Sequence, residues 1–314
     1  FGGRFADAQG AFASAQRCAR EEGEGPDTLS QRYEGLCFQY EDRLDEALAL
    51  FREAAAEIAR QERARGWAPP RESSALADAW NNVGWVQHLR GENAPASETL
   101  DRALSLAPDG PADRAGSVWV DGRVRTNLAI ATAALGDAAA AWRELEAVAR
   151  VPSGDRMNLT RALEHLGRLE ESWGDLEAAA ARYEEALATG EASLREDAPG
   201  PYNRAYVVGV LSRLGLIQDR LGRTEKARES LDRALDVARG LGTRRLVAQV
   251  LLDRGRLERD AGDLAAALAA HEEALALAGR ARLGPEEAHA LAELGWDRLA
   301  GGDAQEALAL FERA

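Results

Sequence analysis

Several residue types are scarce in this 314-residue chain, and each scarcity excludes something. There are two cysteines, Cys18 and Cys37, one methionine, Met157, and one lysine, Lys226. Two thiols build no disulfide framework and suit a reducing compartment, so a cytoplasmic protein is expected. No run approaches about 18 apolar residues without a charge, which excludes a helical membrane span. Basic residues number 39 against 53 acidic ones, a net charge of −14. A protein that holds nucleic acid by neutralising phosphates should not carry that balance. A phosphate-binding loop needs Gly-Lys before Ser or Thr, but Lys226 stands between Glu225 and Ala227. A helical zinc site of the His-Glu-x-x-His type fails at its second histidine, because His271-Glu272-Glu273 runs into Ala274-Leu275. His88, His165 and His289 are scattered without clustered carboxylates or thiols, and nothing suggests a nucleophilic Ser or Cys site. Asn158-Leu159-Thr160 is a glycosylation sequon in letters only. No cofactor, no metal and no catalysis by the chain itself are expected.

Aromatics make up 6% of the chain and prolines number 10, while Ala alone supplies roughly a fifth. Ala and Leu beside Glu and Arg form a helical composition and leave little material for sheets. Nearly every basic residue is Arg, a coding bias that suggests a GC-rich bacterium. The chain opens at Phe1 with no initiator and no recognisable signal or transit segment, so it is expected to be a piece of a longer product.

Self-similarity decides the architecture. Leu163 is followed by Leu166-Gly167, a Gly174-Asp175 turn, then Ala179, Tyr183 and Ala186. The spacing returns at Leu211, Leu214-Gly215, Gly222, Ala227, Leu231 and Ala234, and again at Leu251, Gly255, Gly262, Ala267, His271 and Ala274. It closes with Leu291, Leu294-Gly295, Gly302, Ala307 and Phe311. Upstream, Trp80, Val83-Gly84, Gly91, Ala96, Leu100, Ala103 and Pro108 match at every step. Weaker copies pass through Leu128-Ala129, Gly136, Ala141 and Leu145, and through Gly35, Ala47 and Phe51.

This pattern resembles the tetratricopeptide repeat family, W-x2-L-G-x2-Y followed by A-x3-F and a proline. The turn glycines lie 38 to 48 residues apart, against about 34 in the standard repeat. That resembles the longer repeats of kinesin light chains and bacterial multidomain signalling proteins. The resemblance implies an all-α, right-handed superhelical solenoid of stacked antiparallel helix pairs, about 15 helices in all. A single solenoid over 1–314 is expected, with a half repeat at 1–22 and repeats at 27–65, 72–108, 112–151, 155–197, 201–240, 243–281 and 285–314. Residue chemistry agrees. Glycine inside a helix costs about 1 kcal/mol relative to alanine, tolerable where a neighbouring helix passes too close for a side chain. The Gly-Asp turns pair a left-handed helix terminator with an N-cap acceptor. The stretches 64–74 and 191–203 carry Pro/Gly clusters and read as protruding loops or mild breaks in the stack.

In the resembled family the first helix of each pair lines the concave wall. That implies inward-facing Asn81, Trp85 and His88; Arg123, Thr126 and Ile130; Arg161, Glu164, Arg168 and Glu171; Ser212, Leu216 and Asp219; Arg256 and Arg259; and His289 and Trp296. Such a lining suits a protein or peptide partner better than a small metabolite. Two readings stand. In one, Arg168, Arg256 and Arg259 take acidic groups of a partner and Trp85 and Trp296 are apolar anchors. In the other, the arginines pair with the chain's own acids, for example Arg168 with Glu164 or Glu171, and the tryptophans pack against adjacent repeats. A chaperone-tail clamp, which in the family uses a lysine and an asparagine one turn apart, is excluded by the lack of any lysine before Lys226. The expected function is an interaction scaffold or sensor segment. Its rivals are a regulatory arm of a caspase-like CHAT protease, Ser/Thr kinase or STAND NTPase, and a self-assembly module. Uncapped apolar ends predict self-association of the isolated chain.

Overall fold

A computed structural model describes residues 28–40, 43–64, 66, 73–107, 115–151, 156–195 and 201–314. The expected half repeat at 1–22 and Cys18 lie outside them. Among the described residues there are fourteen helices and no strand. They are α1 (Thr28–Tyr40), α2 (Leu44–Ala64), α3 (Ser74–Leu89), α4 (Asn93–Leu106), α5 (Ala115–Ala134), α6 (Ala138–Arg150) and α7 (Arg156–Ser172). The rest are α8 (Leu176–Leu194), α9 (Pro201–Arg220), α10 (Thr224–Leu241), α11 (Arg244–Asp260), α12 (Leu264–Ala281), α13 (Gly284–Ala300) and α14 (Ala304–Phe311). The chain divides into two compact units, Phe1–His165 and Leu166–Ala314.

In the first unit α1 pairs with α2, α3 with α4 and α5 with α6, and the first helices α3 and α5 also touch. Its core runs from Ala47, Phe51, Val83 and Val86 to Ala77, Leu100, Ala103, Val124 and Ala131. In the second unit α9 pairs with α10, α11 with α12 and α13 with α14. There the first helices α9, α11 and α13 pack in sequence, each against the next. Fully buried Tyr183, Leu211, Ile217, Leu231, Leu252 and Leu257 fill this unit, each worth about 1.5–3 kcal/mol of burial.

The turns follow from two residues. Gly174 ends its helix at φ +83°, in the left-handed region that only glycine enters without penalty. Asp175 then caps α8, accepting from the N–H of Ala178 at 3.0 Å. Asp137, Asp263 and Asp303 repeat that cap at 2.9–3.0 Å.

The helical glycines have a more specific reason than a close-passing rod. Gly35, Gly84, Gly167, Gly215, Gly255 and Gly295 each face the side chain sixteen positions on: Phe51, Leu100, Tyr183, Leu231, His271 and Phe311. A Cβ on Gly84 would sit 2.6 Å from Leu100 Cγ, and one on Gly255 2.2 Å from His271 Nε2. The glycine is the socket, and a large residue of the second helix is the plug. Ala47, Ala96, Ala179, Ala227 and Ala267, four positions before their plugs, are fully buried.

The stretch read as a loop at 191–203 is shorter than expected. α8 continues through Glu191, Ala192, Ser193 and Leu194, with Ser193 buried, and α9 starts at Pro201. Helix-favouring Glu, Ala and Leu and the burial of Ser193 carry the helix on, and Pro201 is accepted at a first helical position.

Candidate binding surface

In the first unit the expected wall residues are tied to one another. The carboxylate of Asp78 on α3, buried, takes the guanidiniums of both Arg32 on α1 and Arg123 on α5. One turn further on, Asn127 Nδ2 donates to Asn81 Oδ1 at 2.8 Å, and Arg161 Nη2 donates to Asn127 Oδ1 at 2.5 Å. The Arg161 guanidinium lies 5.4 Å from the ring centre of Trp85, which contacts His88 at 5.2 Å. His88 Nδ1 in turn meets Asn93 Oδ1 at 2.7 Å. Asn81, Thr126, Ile130, Arg161 and Glu164 are all buried. They therefore do not face an open groove as the family resemblance implies. Asn81, Asn127 and Arg161 join α3, α5 and α7 through those bonds, where a buried polar side chain must find a partner because water is absent.

In the second unit Arg168 is exposed and Leu216 and Asp219 are half-buried on α9. Glu171 accepts from Arg220 Nη1 at 2.7 Å and from the Tyr183 hydroxyl at 3.3 Å. Arg256 and Arg259 both reach from α11 to α13. Arg256 Nε donates to Glu293 Oε1 at 2.6 Å, and its Nη2 meets His289 Nε2. Arg259 donates through Nη2 to Glu293 Oε2 at 2.8 Å and through Nη1 to Asp297 Oδ1 at 2.9 Å. Both guanidiniums are thus engaged inside the chain, so neither is poised for a partner's acid.

Asp297 continues inward. Its Oδ2 lies 2.5 Å from Nδ1 of His271, and His271 Nε2 lies 3.2 Å from the carbonyl oxygen of Leu252. His271 and Asp297 are both essentially inaccessible. Burial works against the Glu293 carboxylate, but its hydrogen bonds from Arg256 and Arg259 outweigh that and hold its pKa below the ordinary value. Asp253 behaves oppositely: burial pushes it up to about 6, with Arg256 and Arg213 only partly opposing the rise. Asp219 is also raised, by burial first and then by the charge of Asp260.

Trp296 is the outlier on this surface. It is 52% exposed and packs edge-on to Phe311 with ring centres 5.2 Å apart. Beside it is an open cavity of about 400 Å³ lined by Arg259, Glu293, Trp296, Leu299 and Ala300. The apolar part of that lining is accessible, whereas the charged part is already paired.

Asp78, Asn127, Glu293 and Asp297 were not among the residues expected here. A signal for two of them is present. From Gly84 onward, the position two before the small residue of each first helix (Gly84, Ala129, Gly167, Gly215, Gly255, Gly295) reads Asn82, Asn127, His165, Arg213, Asp253 and Glu293, polar each time. The position two after reads Val86, Ala131, Leu169, Ile217, Leu257 and Asp297, apolar until the last. Among the described residues no three His, Cys, Asp or Glu side chains gather as a metal site, and no helix is long and apolar enough to cross a membrane.

The family model for the tetratricopeptide repeat matches residues 206–280 and 246–314. No curated protein matches the sequence. Among solved structures, the apo quorum sensor NprR from B. thuringiensis aligns at a TM-score of 0.70 with 15% identity, over 97% of this chain and 81% of that one. A Rap protein complexed with Competence and Sporulation Factor aligns at 0.62 with 16% identity, over 91% and 73%. A STAND protein with a tetratricopeptide repeat sensor from Pyrococcus horikoshii aligns at 0.60 with 12% identity, over 91% of this chain and 41% of that one. Helix pairs with glycine sockets recur along the described residues, and solved structures share that fold over more than nine-tenths of the chain; within it, residues 206–314 match the tetratricopeptide repeat model.

Proposed function

We propose that the chain is a protein-interaction scaffold that takes a partner polypeptide on the first-helix surface of its second unit and carries out no catalysis of its own. One observation carries this reading: Trp296 is half-exposed beside an open cavity whose charged groups are already neutralised by one another. A large aromatic surface next to apolar Leu299 and Ala300 is the kind of anchor that dominates polypeptide recognition. Leu216 and Asp219 stand at the corresponding places of α9, one and four residues past Gly215, as Trp296 and Leu299 do past Gly295. The anchoring role moves from the arginines to the tryptophan, because Arg256 and Arg259 already commit their donors to Glu293 and Asp297.

Two of the fold neighbours favour the same class of function. The Rap protein is complexed with Competence and Sporulation Factor, and NprR is a quorum sensor. The repeats of the STAND protein form a sensor within a longer chain, which favours a second reading, a regulatory arm of a multidomain enzyme. Affinity capture from cells with the whole chain tests the scaffold. Leu216→Asp and Trp296→Ala should each reduce recovery of a specific partner at unchanged helical content. Equal recovery with both variants would remove the reading.

A further inference from the structure

A second cavity, of about 270 Å³, opens where α10 hands over to α11, beside α12. Gly242, at φ +67°, turns the chain between α10 and α11, so that Arg239 and Arg244 line the same space. Arg280, in the last turn of α12, lines it as well, and Val247 and Leu277 supply its apolar part. Glu273 is the one acid in this lining, and it accepts from Arg239 Nη2 at 2.9 Å. The lining therefore holds an excess of two positive charges, in a chain whose net charge is −14. Among the described residues neither Arg244 nor Arg280 has a hydrogen-bond or ion-pair partner, and both are exposed. Helix stability does not account for Arg244. It stands in the first turn of α11, where a positive charge opposes the helix dipole, and no acid shares that turn. Repeat packing does not account for it either, because forty residues on the counterparts of Arg239 and Arg244 are Gly279 and Gly284.

We infer that this cavity binds a phosphoryl group, borne by a modified side chain or by a small molecule. Arg244 and Arg280 donate to its oxygens, and Arg239 is shared between the ligand and Glu273. A phosphate monoester carries a charge of about −1.5 to −2 at pH 7 and three strong acceptor oxygens, which matches two uncommitted guanidinium forks. A carboxylate has one charge and one edge, takes a single fork, and would leave the other without a partner. Because both guanidiniums are exposed, holding them without an acid of the chain's own strands no buried charge. The cavity shares no residue with the surface around Trp296, and the inference does not depend on the scaffold reading.

Three probes titrated into the whole chain test this: inorganic phosphate, a short alanine peptide bearing one phosphoserine, and the same peptide with glutamate at that place. Binding is read from the amide NMR shifts of Gly242 and Thr243. Phosphate or the phosphopeptide should shift both amides saturably. The glutamate peptide should bind at least about tenfold more weakly than the tighter of those two. Arg244→Gln and Arg280→Gln should each weaken that tighter probe at least about tenfold at unchanged far-UV circular dichroism. Lys226→Gln, which removes one charge from an exposed position of α10, should leave it unchanged. Tighter binding of the phosphopeptide than of phosphate supports the inference with a modified polypeptide as the source. Phosphate binding as tightly or more tightly supports it with a small molecule as the source. The inference is overturned if neither phosphate-bearing probe gives a saturable shift, if the glutamate peptide binds as tightly, or if binding is indifferent to both arginine substitutions.

Discussion

Replacing Gly255 by alanine measures the socket-and-plug packing directly, because helix propensity and packing predict opposite signs. By propensity alone the change stabilises α11 by about 1 kcal/mol. The added Cβ, however, would stand 2.2 Å from His271 Nε2, 2.4 Å from Cδ2 and 2.6 Å from Cε1. Ordinary contact needs about 3.5 Å, so the ring must retreat by more than about 1 Å. It cannot do so while Nδ1 stays 2.5 Å from Asp297 and Nε2 stays 3.2 Å from the Leu252 carbonyl. Overpacking costs about 1–3 kcal/mol, and weakening a hydrogen bond to a buried carboxylate costs about 1.5–3 kcal/mol. Subtracting the propensity gain leaves a net loss of about 1.5–5 kcal/mol. Gly209 supplies the control: it is helical and exposed, and a methyl group added there would meet nothing within 4 Å, so Gly209→Ala should stabilise by about 0.5–1 kcal/mol. Urea midpoints at constant slope, followed by far-UV circular dichroism, give both values. Hydrogen exchange should place the Gly255→Ala loss in α11, α12 and α13. Removing the plug by His271→Ala should shrink the Gly255→Ala penalty in a double-mutant cycle. If both glycine replacements shift the midpoint in the same direction, the socket argument is refuted.

Other outcomes are expected from the same contacts. Asp253, raised from 3.8 to about 6 mainly by burial, holds a proton in the folded state that the unfolded chain has released. Stability should therefore fall as pH rises from about 4 to about 6 and level off above, by at most about 3 kcal/mol. Asp253→Asn should flatten that fall in urea midpoints taken across the window, and parallel profiles would refute the assignment. Arg259→Ala removes one of the two partners of Glu293 and of Asp297 and should cost about 1.5–3 kcal/mol, read as lost exchange protection in α13; unchanged protection would show that the ion pairs do not hold that helix. Asp175→Ala removes the cap on α8 and should cost about 1 kcal/mol in the urea midpoint. Ala179→Leu, at a fully buried site, should cost about 1–3 kcal/mol by overpacking, and a neutral result would mean that the side chain faces elsewhere.

The helix pairs were legible because their signals are local. A left-handed glycine followed by aspartate at 174–175 ends one helix and begins the next whatever surrounds it. The small residue at 167 and the large one at 183 also repeat at 215 and 231 and at 295 and 311, so even the socket and its plug are written along the chain. The binding surface was less legible. Ile130 and Arg161 occupy the same register as exposed residues elsewhere, yet they are buried. Their exposure depends on how closely the neighbouring first helix approaches.

What the sequence by itself determined is the hairpin and its repetition, since turn conformation, capping and intra-pair packing depend on residues less than one repeat apart. Tertiary structure alone decided which arginines are already paired and which aromatic is left open. Arg259 and Asp297 are 38 residues apart, and nothing local to either dictates that they meet. That pairing is fixed by the stacking of α11 on α13.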